Sequence, residues 1–288
     1  MKIRIGFAPG ITGGPALDLA TFGAIVDALE DLRFDSIWLP EVMTGSPLDP
    51  LTALAFAAGR VRRLKLGTQL VLPGRNLYRA ARSAATVDRL SGGRLLVTAV
   101  PGLEMPDELR ALGVDQRSRS MIVESHMDGL RRLWAGEAVD GIRVEVAPAQ
   151  QPLEVWMGGK GPKGLERAGR LSDGWIGGFS TVEESAAGRT AVLAAAAAAG
   201  RAISDEHFGA NVLYSRASLA ADVAERLGER AAMVAIGWDA TRARIGRYID
   251  AGISKFVVRP AGAPGNDPAA WEGELAAAAE GLLDLQTR

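Results

Sequence analysis

The segment with the strongest chemical signature is Gly158-Gly159-Lys160-Gly161-Pro162-Lys163-Gly164. Glycines let backbone N–H groups approach an anion closely, and a helix beginning here adds partial positive charge at its N-terminus. The two ammonium groups add full charges. Only five of the 33 basic residues are lysine, so two in one loop is a concentration. The segment reads as a phosphate cradle in which Gly158, Gly159, Lys160 and Gly161 face the ligand. The plainer alternative is a solvated turn. It is not a P-loop, since no Gly-Lys-Ser/Thr closes it.

Four other places carry polar residues in positions to act. Gln69 interrupts the apolar run Gly67-Thr68-Gln69-Leu70-Val71-Leu72, and a polar group in such a strand must find a partner, either a neighbouring loop or a ligand. Thr68 and Leu70 share that stretch. Glu41 follows the run ending Trp38-Leu39-Pro40, where a catalytic carboxylate would sit, and Glu104 follows Val100-Pro101-Gly102-Leu103 in the same way. For both acids the alternative is an exposed loop position. Trp38, at a strand end, is the aromatic expected beside a planar ligand. Other chemistries lack their residues. Cysteine is absent, so there is no thiol nucleophile. His126 and His207 are far apart, so a metal site is not expected. Lys65 and Lys255 precede their strands, which leaves a Schiff-base aldolase without a lysine at a strand's far end.

The elements that must position these residues alternate through the chain. Strand patterns fall at 3–8, 36–39, 66–72, 94–100, 154–157, 174–177, 209–214 and 255–259. Helical patterns fall between them at 17–32, 50–61, 77–90, 119–134, 164–171, 182–199, 219–227 with 241–251, and 268–285. Asp49-Pro50, Asn76 and Asp267-Pro268 have the chemistry of helix starts, and Ala251-Gly252 that of an end. Eight strand–helix units predict an α/β fold, a (β/α)8 TIM barrel of one domain over residues 1–288. A small hairpin or excursion is expected at 139–152, inserted before strand five. An open dinucleotide-binding sheet is the competitor, but Gly10, Gly13 and Gly14 are wrongly spaced for its fingerprint. In a barrel of this kind the chemistry belongs at the C-terminal ends of the strands, so residues just after each strand are the candidates.

Bulk composition narrows the partners. Net charge is −1 with no block of like charge, which argues against nucleic acid or an anionic membrane. The chain enters its first strand without a signal-peptide pattern, and its most apolar run, 193–199, is too short to span a bilayer. A cytoplasmic protein acting on a small molecule is the expectation.

Several motifs together resemble a known family. They are Phe34-Asp35-Ser36-Ile37-Trp38, Leu66-Gly67-Thr68, Thr86-Val87-Asp88-Arg89-Leu90-Ser91-Gly92-Gly93-Arg94, the glycine–lysine loop, and Ala168-Gly169-Arg170-Leu171-Ser172-Asp173-Gly174-Trp175. Their order and spacing resemble the luciferase-like monooxygenase superfamily, with closer similarity to its deazaflavin branch. The resemblance implies a TIM barrel, a homodimer, and either coenzyme F420 or FMN held by its phosphate at Gly158–Gly161. It also implies Glu41 as the acid after strand two, and a non-prolyl cis peptide at Gln69–Leu70 under the ring. Val42 and Leu103 stand where the family's sugar-phosphate dehydrogenases carry a histidine and an acid. That removes a base for alcohol oxidation and favours hydride transfer to or from another small organic substrate. The alternatives are an FMN-dependent monooxygenase and a non-catalytic flavin-binding protein on the same fold.

Overall fold

The computed structural model describes residues 1–10, 16–45 and 48–287. Gly13 and Gly14 lie outside the described residues. Eight parallel strands close into a barrel: β1 (Arg4–Phe7), β2 (Ser36–Pro40), β3 (Lys65–Val71), β4 (Leu95–Val100), β5 (Val155–Gly158), β6 (Trp175–Ile176), β7 (Phe208–Ser215) and β9 (Lys255–Pro260). β1 pairs with β9, and β6 with β7, so no edge is left along the ring. The two-residue β8 (Ala235–Ile236) pairs only with the far end of β7. Each expected strand is present.

The helices form where caps and apolar stripes direct them. They are α1 (Leu19–Asp31), α2 (Pro50–Arg60), α3 (Leu77–Leu90), α4 (Pro106–Leu112), α5 (Arg119–Trp134), α6 (Pro162–Leu171), α7 (Val182–Ala198), α8 (Ala221–Leu227), α9 (Trp238–Asp250) and α10 (Pro268–Leu282). Asp49, Asn76 and Asp267 each accept from the backbone N–H three residues on, with proline at the first turn of α2 and α10. Gly252 follows α9 with φ 82°. No helix among the described residues is long and apolar enough to cross a membrane.

One expectation fails here, and one resolves between its alternatives. Residues 139–152 form an excursion before β5 and no hairpin of strands. A single antiparallel bridge joins Val139 to Ile142, and the chain then runs as a strap ending at Gln150, whose backbone N–H and side-chain amide both donate to the Asp88 carboxylate, at 2.8 and 2.7 Å. Fastening to α3 takes the place of pairing with itself. The Gln69–Leu70 peptide is trans; the one cis bond among the described residues is Gln151–Pro152. β3 is hydrogen-bonded in unbroken parallel register to β2 and β4 through residues 65–71. That continuous ladder keeps its backbone extended, and a non-prolyl cis bond would cost roughly 3–4 kcal/mol with nothing here to impose it.

Strand alternation divides the side chains into two sets. Outward residues such as Ile5, Ile37, Leu66 and Leu70 form the main core against the helices. Inward residues Trp38, Trp156 and Val257 fill the lower half of the barrel, in one cluster with Ala8 and Ile176 nearer the C-terminal mouth. At the N-terminal mouth Lys255 donates to Asp35 at 2.6 Å, its ammonium 5.6 Å from the centre of the Trp38 ring. The upper half is open.

Candidate active site

A cavity of about 670 Å³ occupies that upper half. Its walls are the segments that follow the strands: Pro40–Val42 after β2, Val100–Leu103 after β4, Gly158–Lys160 after β5 and Gly177–Phe179 after β6. Gln69, Asn211 and Arg259 project into it from β3, β7 and β9. Glu229, Arg230 and Met233 close one side from the short 3-10 turn Gly228–Met233. The volume is within the range of cofactor and ligand pockets.

The glycine–lysine loop lies where the sequence places it. Gly159 has φ 137°, a conformation that a side chain would strain, and its carbonyl accepts from Trp175 Nε1 at 3.0 Å. Gly158, Gly159 and Lys160 line the cavity, whereas Gly161 sits just outside it as the N-cap of α6. Lys160 is half-exposed, 3.3 Å from Glu184, itself the capping-box residue of α7. Two helix N-termini therefore flank this wall.

Opposite runs a polar floor. Arg259 is buried, and its Nε donates to Asn211 Oδ1 at 3.0 Å, Nη1 to the Gly10 carbonyl at 3.3 Å and Nη2 to Gln69 Oε1 at 3.2 Å. All three acceptors are neutral. Burial lowers its pKa to about 10. Asn211 in turn donates to the Gly177 carbonyl at 2.9 Å. Thr98, level with Gln69 on the neighbouring strand, has a buried hydroxyl without a partner among the described residues.

Glu41 lines the cavity and ties two loops together. Its carboxylate accepts from the Val71 N–H at 2.8 Å and from the Arg75 guanidinium. Burial raises its pKa against the pull of Arg75. The structure separates it from the other expected residues. Glu104 turns outward, largely exposed, and pairs with Arg119 at 2.8 Å, while Leu103 takes the cavity wall. Trp38 lies below the cavity in the barrel plug, its Nε1 donating to Ser36 at 2.9 Å, because β2 continues to Pro40 and turns Trp38 inward one layer down. Leu70 packs in the outer core and Thr68, by the strand's two-residue alternation, is buried on the same side as Leu70. Of the three β3 residues, Gln69 alone reaches the cavity.

Residues not singled out from sequence complete the site. Arg259 and Asn211 are polar interruptions in the apolar runs of β9 and β7, the same signal that exposed Gln69. Arg119 is buried, and one of its terminal nitrogens donates to the carbonyls of Pro101, Gly102 and Leu103 at 3.3, 2.9 and 3.3 Å. It thereby fixes the loop that forms the β4 wall.

A parallel barrel with a part-polar cavity at its C-terminal mouth, a glycine-rich wall and a buried cation defines a TIM barrel with a candidate ligand site where such barrels carry one. The model of the luciferase-like monooxygenase family matches residues 3–283, and the chain belongs to that family. Among curated relatives, 5,10-methylenetetrahydromethanopterin reductase of Methanolobus tindarius is 27% identical over 209 residues, which are 70% of this chain and 61% of that protein. The chain matches 49%, 30% and 35% of the length of three other curated relatives. Two solved structures share the fold. Monooxygenase RslO1 of Streptomyces bottropensis has a TM-score of 0.78 at 22% identity, with 98% of this chain and 99% of that one covered. An F420-dependent secondary alcohol dehydrogenase in complex with an F420–acetone adduct has a TM-score of 0.79 at 16% identity, with both chains covered in full, 100% each.

Proposed function

We propose that the chain is an oxidoreductase that moves a hydride between coenzyme F420 and a small organic molecule. One observation carries this reading: a single cavity joins the Gly158–Lys160 wall to a buried guanidinium that has only neutral partners. An elongated ligand with an anionic group at one end and a polar ring at the other complements both. The residues fit such a cofactor. Lys160 and the N–H groups around Gly159 would hold its phosphate, and Gln69, Asn211 and Arg259 would face its ring. When bound, the cofactor supplies the hydride chemistry, and the protein supplies orientation, electrostatics and exclusion of water. Val42, Val100, Leu103 and Phe179 offer apolar wall for the substrate. Glu41 is the expected acid that lines the cavity, and its raised pKa suits it to carry a proton. A curated relative named as a putative coenzyme F420-dependent oxidoreductase, 27% identical over 53% of this chain, supports the deazaflavin choice.

The second reading is monooxygenation with reduced FMN. The trans Gln69–Leu70 peptide favours it, because the cis bond was the resemblance's structural argument for the deazaflavin. Anaerobic titration with F420 and with FMN separates the two. Tight binding of F420 with substrate-dependent reduction or oxidation supports the first, and tight binding of FMN alone overturns it. Lys160→Ala should weaken the bound cofactor by about 1 kcal/mol, the modest figure suiting a half-exposed ammonium. Binding without turnover would leave a carrier protein. The reading includes a homodimer, and a monomer in sedimentation at micromolar concentration would remove that part.

A further inference from the structure

Arg259 is a buried charge with no acidic partner among the described residues. Its side chain is buried at the cavity floor, and its partners are two side-chain amides and one carbonyl. Residues 11–15 and 46–47, outside the described set, include no acid. A guanidinium has five N–H donors, and three are used here. Gln69, whose Oε1 is taken by Arg259, has its amide N–H groups left to offer. The Asn211 amide is spent on Gly177. The floor therefore presents donors and positive charge with no negative group to meet them. Leaving a buried cation unpaired costs several kcal/mol, so the natural complement is an anion arriving with the ligand. A planar, weakly hydrated guanidinium suits a flat, delocalised anion better than a point charge.

We infer that Arg259, held in place by Asn211 and Gln69, receives the negatively charged pyrimidine edge of the flavin or deazaflavin ring and, for FMN, biases the bound cofactor toward its reduced state. The inference rests on the proposed cofactor reading. Uptake of two electrons and one proton by the neutral ring of FMN leaves one negative charge spread over N1 and the C2 carbonyl. That edge has acceptors only, matching a floor that has donors only. In a low-dielectric site the attraction acts on reduced FMN and not on its uncharged oxidised ring, so for FMN it shifts the potential and not merely the affinity. Asn211 and Gln69 act as positioning residues, fixing the plane of the guanidinium.

The test compares the wild type with Arg259→Gln, Arg259→Lys and Lys160→Ala. FMN and F420 are supplied oxidised and, anaerobically, chemically reduced, and the dissociation constant of each form is measured. Wild type should bind reduced FMN more tightly than oxidised FMN. Arg259→Gln should cut the ratio of reduced to oxidised affinity at least tenfold, which is about 30 mV for a two-electron couple. Arg259→Lys should retain part of the bias, and Lys160→Ala should weaken both forms alike. The bound reduced FMN should also take up its N1 proton at higher pH in Arg259→Gln than in wild type. Thermal melts show which variants fold; if Arg259→Gln does not, the lysine variant and the N1 titration of wild type decide. An unchanged ratio in folded Arg259→Gln, or equal weakening of both forms, overturns the inference while the cofactor reading stands. No binding of either cofactor to wild type overturns both.

Discussion

Glu41 stands between opposing influences, burial raising its pKa and Arg75 lowering it, and burial prevails. A raised carboxyl means that the folded state holds its proton where the unfolded chain has released it. Stability from this group is thus present below the ordinary carboxylate value and is lost as pH rises from there through the raised one. Glu41→Gln should flatten that part of the pH–stability curve just above pH ~4.5, measured by urea melts at closely spaced pH; an unaltered slope would show that Glu41 titrates normally. At this scale the sequence was informative wherever a residue's position along a strand decides its environment. Lys160, Gln69 and Glu41 were found because they follow or interrupt apolar runs. Arg259 and Asn211 carry the same signal within Phe256-Val257-Val258-Arg259 and Gly209-Ala210-Asn211-Val212. Glu104 misleads because a loop residue has no alternation to say which way it points, and its partner Arg119 is fifteen residues away.

Elements were easier to read than residues, because period and caps are local. α3 and α5 begin and end where their apolar spacing says. α4 was missed: it is a seven-residue helix without a side-chain cap, though Pro106-Asp107-Glu108 at its start and Gly113 in the left-handed conformation at its end mark it. The family motifs that are most visible in sequence turn out to fasten elements together. Asp173 accepts from the Val155 N–H at 2.9 Å and pairs with Arg131 and Arg201, and Asp88 holds the strap at Gln150. Gly169 brings α6 against α7: a Cβ there would lie 2.4 Å from the Val192 carbonyl oxygen. Gly169→Ala must push the helices apart and should destabilise by roughly 1–3 kcal/mol, the range for overpacking. A melting temperature equal to wild type would contradict that close approach. Arg119→Ala should cost a similar amount, roughly 1–3 kcal/mol for freeing buried acceptors. Hydrogen exchange should quicken at residues 101–104 first, since those carbonyls lose their common donor.

On the scale of the whole molecule the barrel is two devices stacked on one axis, a plugged lower half and a receptive upper half. The plug must bear a charged pair at its base. Asp35 is within ion-pair distance of Lys255 at 2.6 Å, Lys65 at 3.3 Å and Arg4 at 3.9 Å, and both Asp35 and Lys255 side chains are nearly buried. Burial alone would raise the Asp35 carboxyl, but the ammonium groups of Lys255 and Lys65 outweigh it and hold the pKa well below the usual range. The folded state therefore binds fewer protons than the unfolded chain at acid pH. Its stabilising contribution is complete above the ordinary aspartate value of about 3.9 and declines as pH falls below it. Asp35→Asn strands Lys255 inside the barrel against Trp38, which should cost about 3–5 kcal/mol at neutral pH. The double variant Asp35→Asn with Lys255→Met should recover much of that loss, since it removes the stranded charge as well. Urea melts of the three proteins between pH 7 and pH 3 check both parts: wild type should lose its advantage over Asp35→Asn as the acid end is approached. An Asp35→Asn protein as stable as wild type at pH 7 would show that the plug stands on Trp38, Trp156 and Val257 without the ion pair.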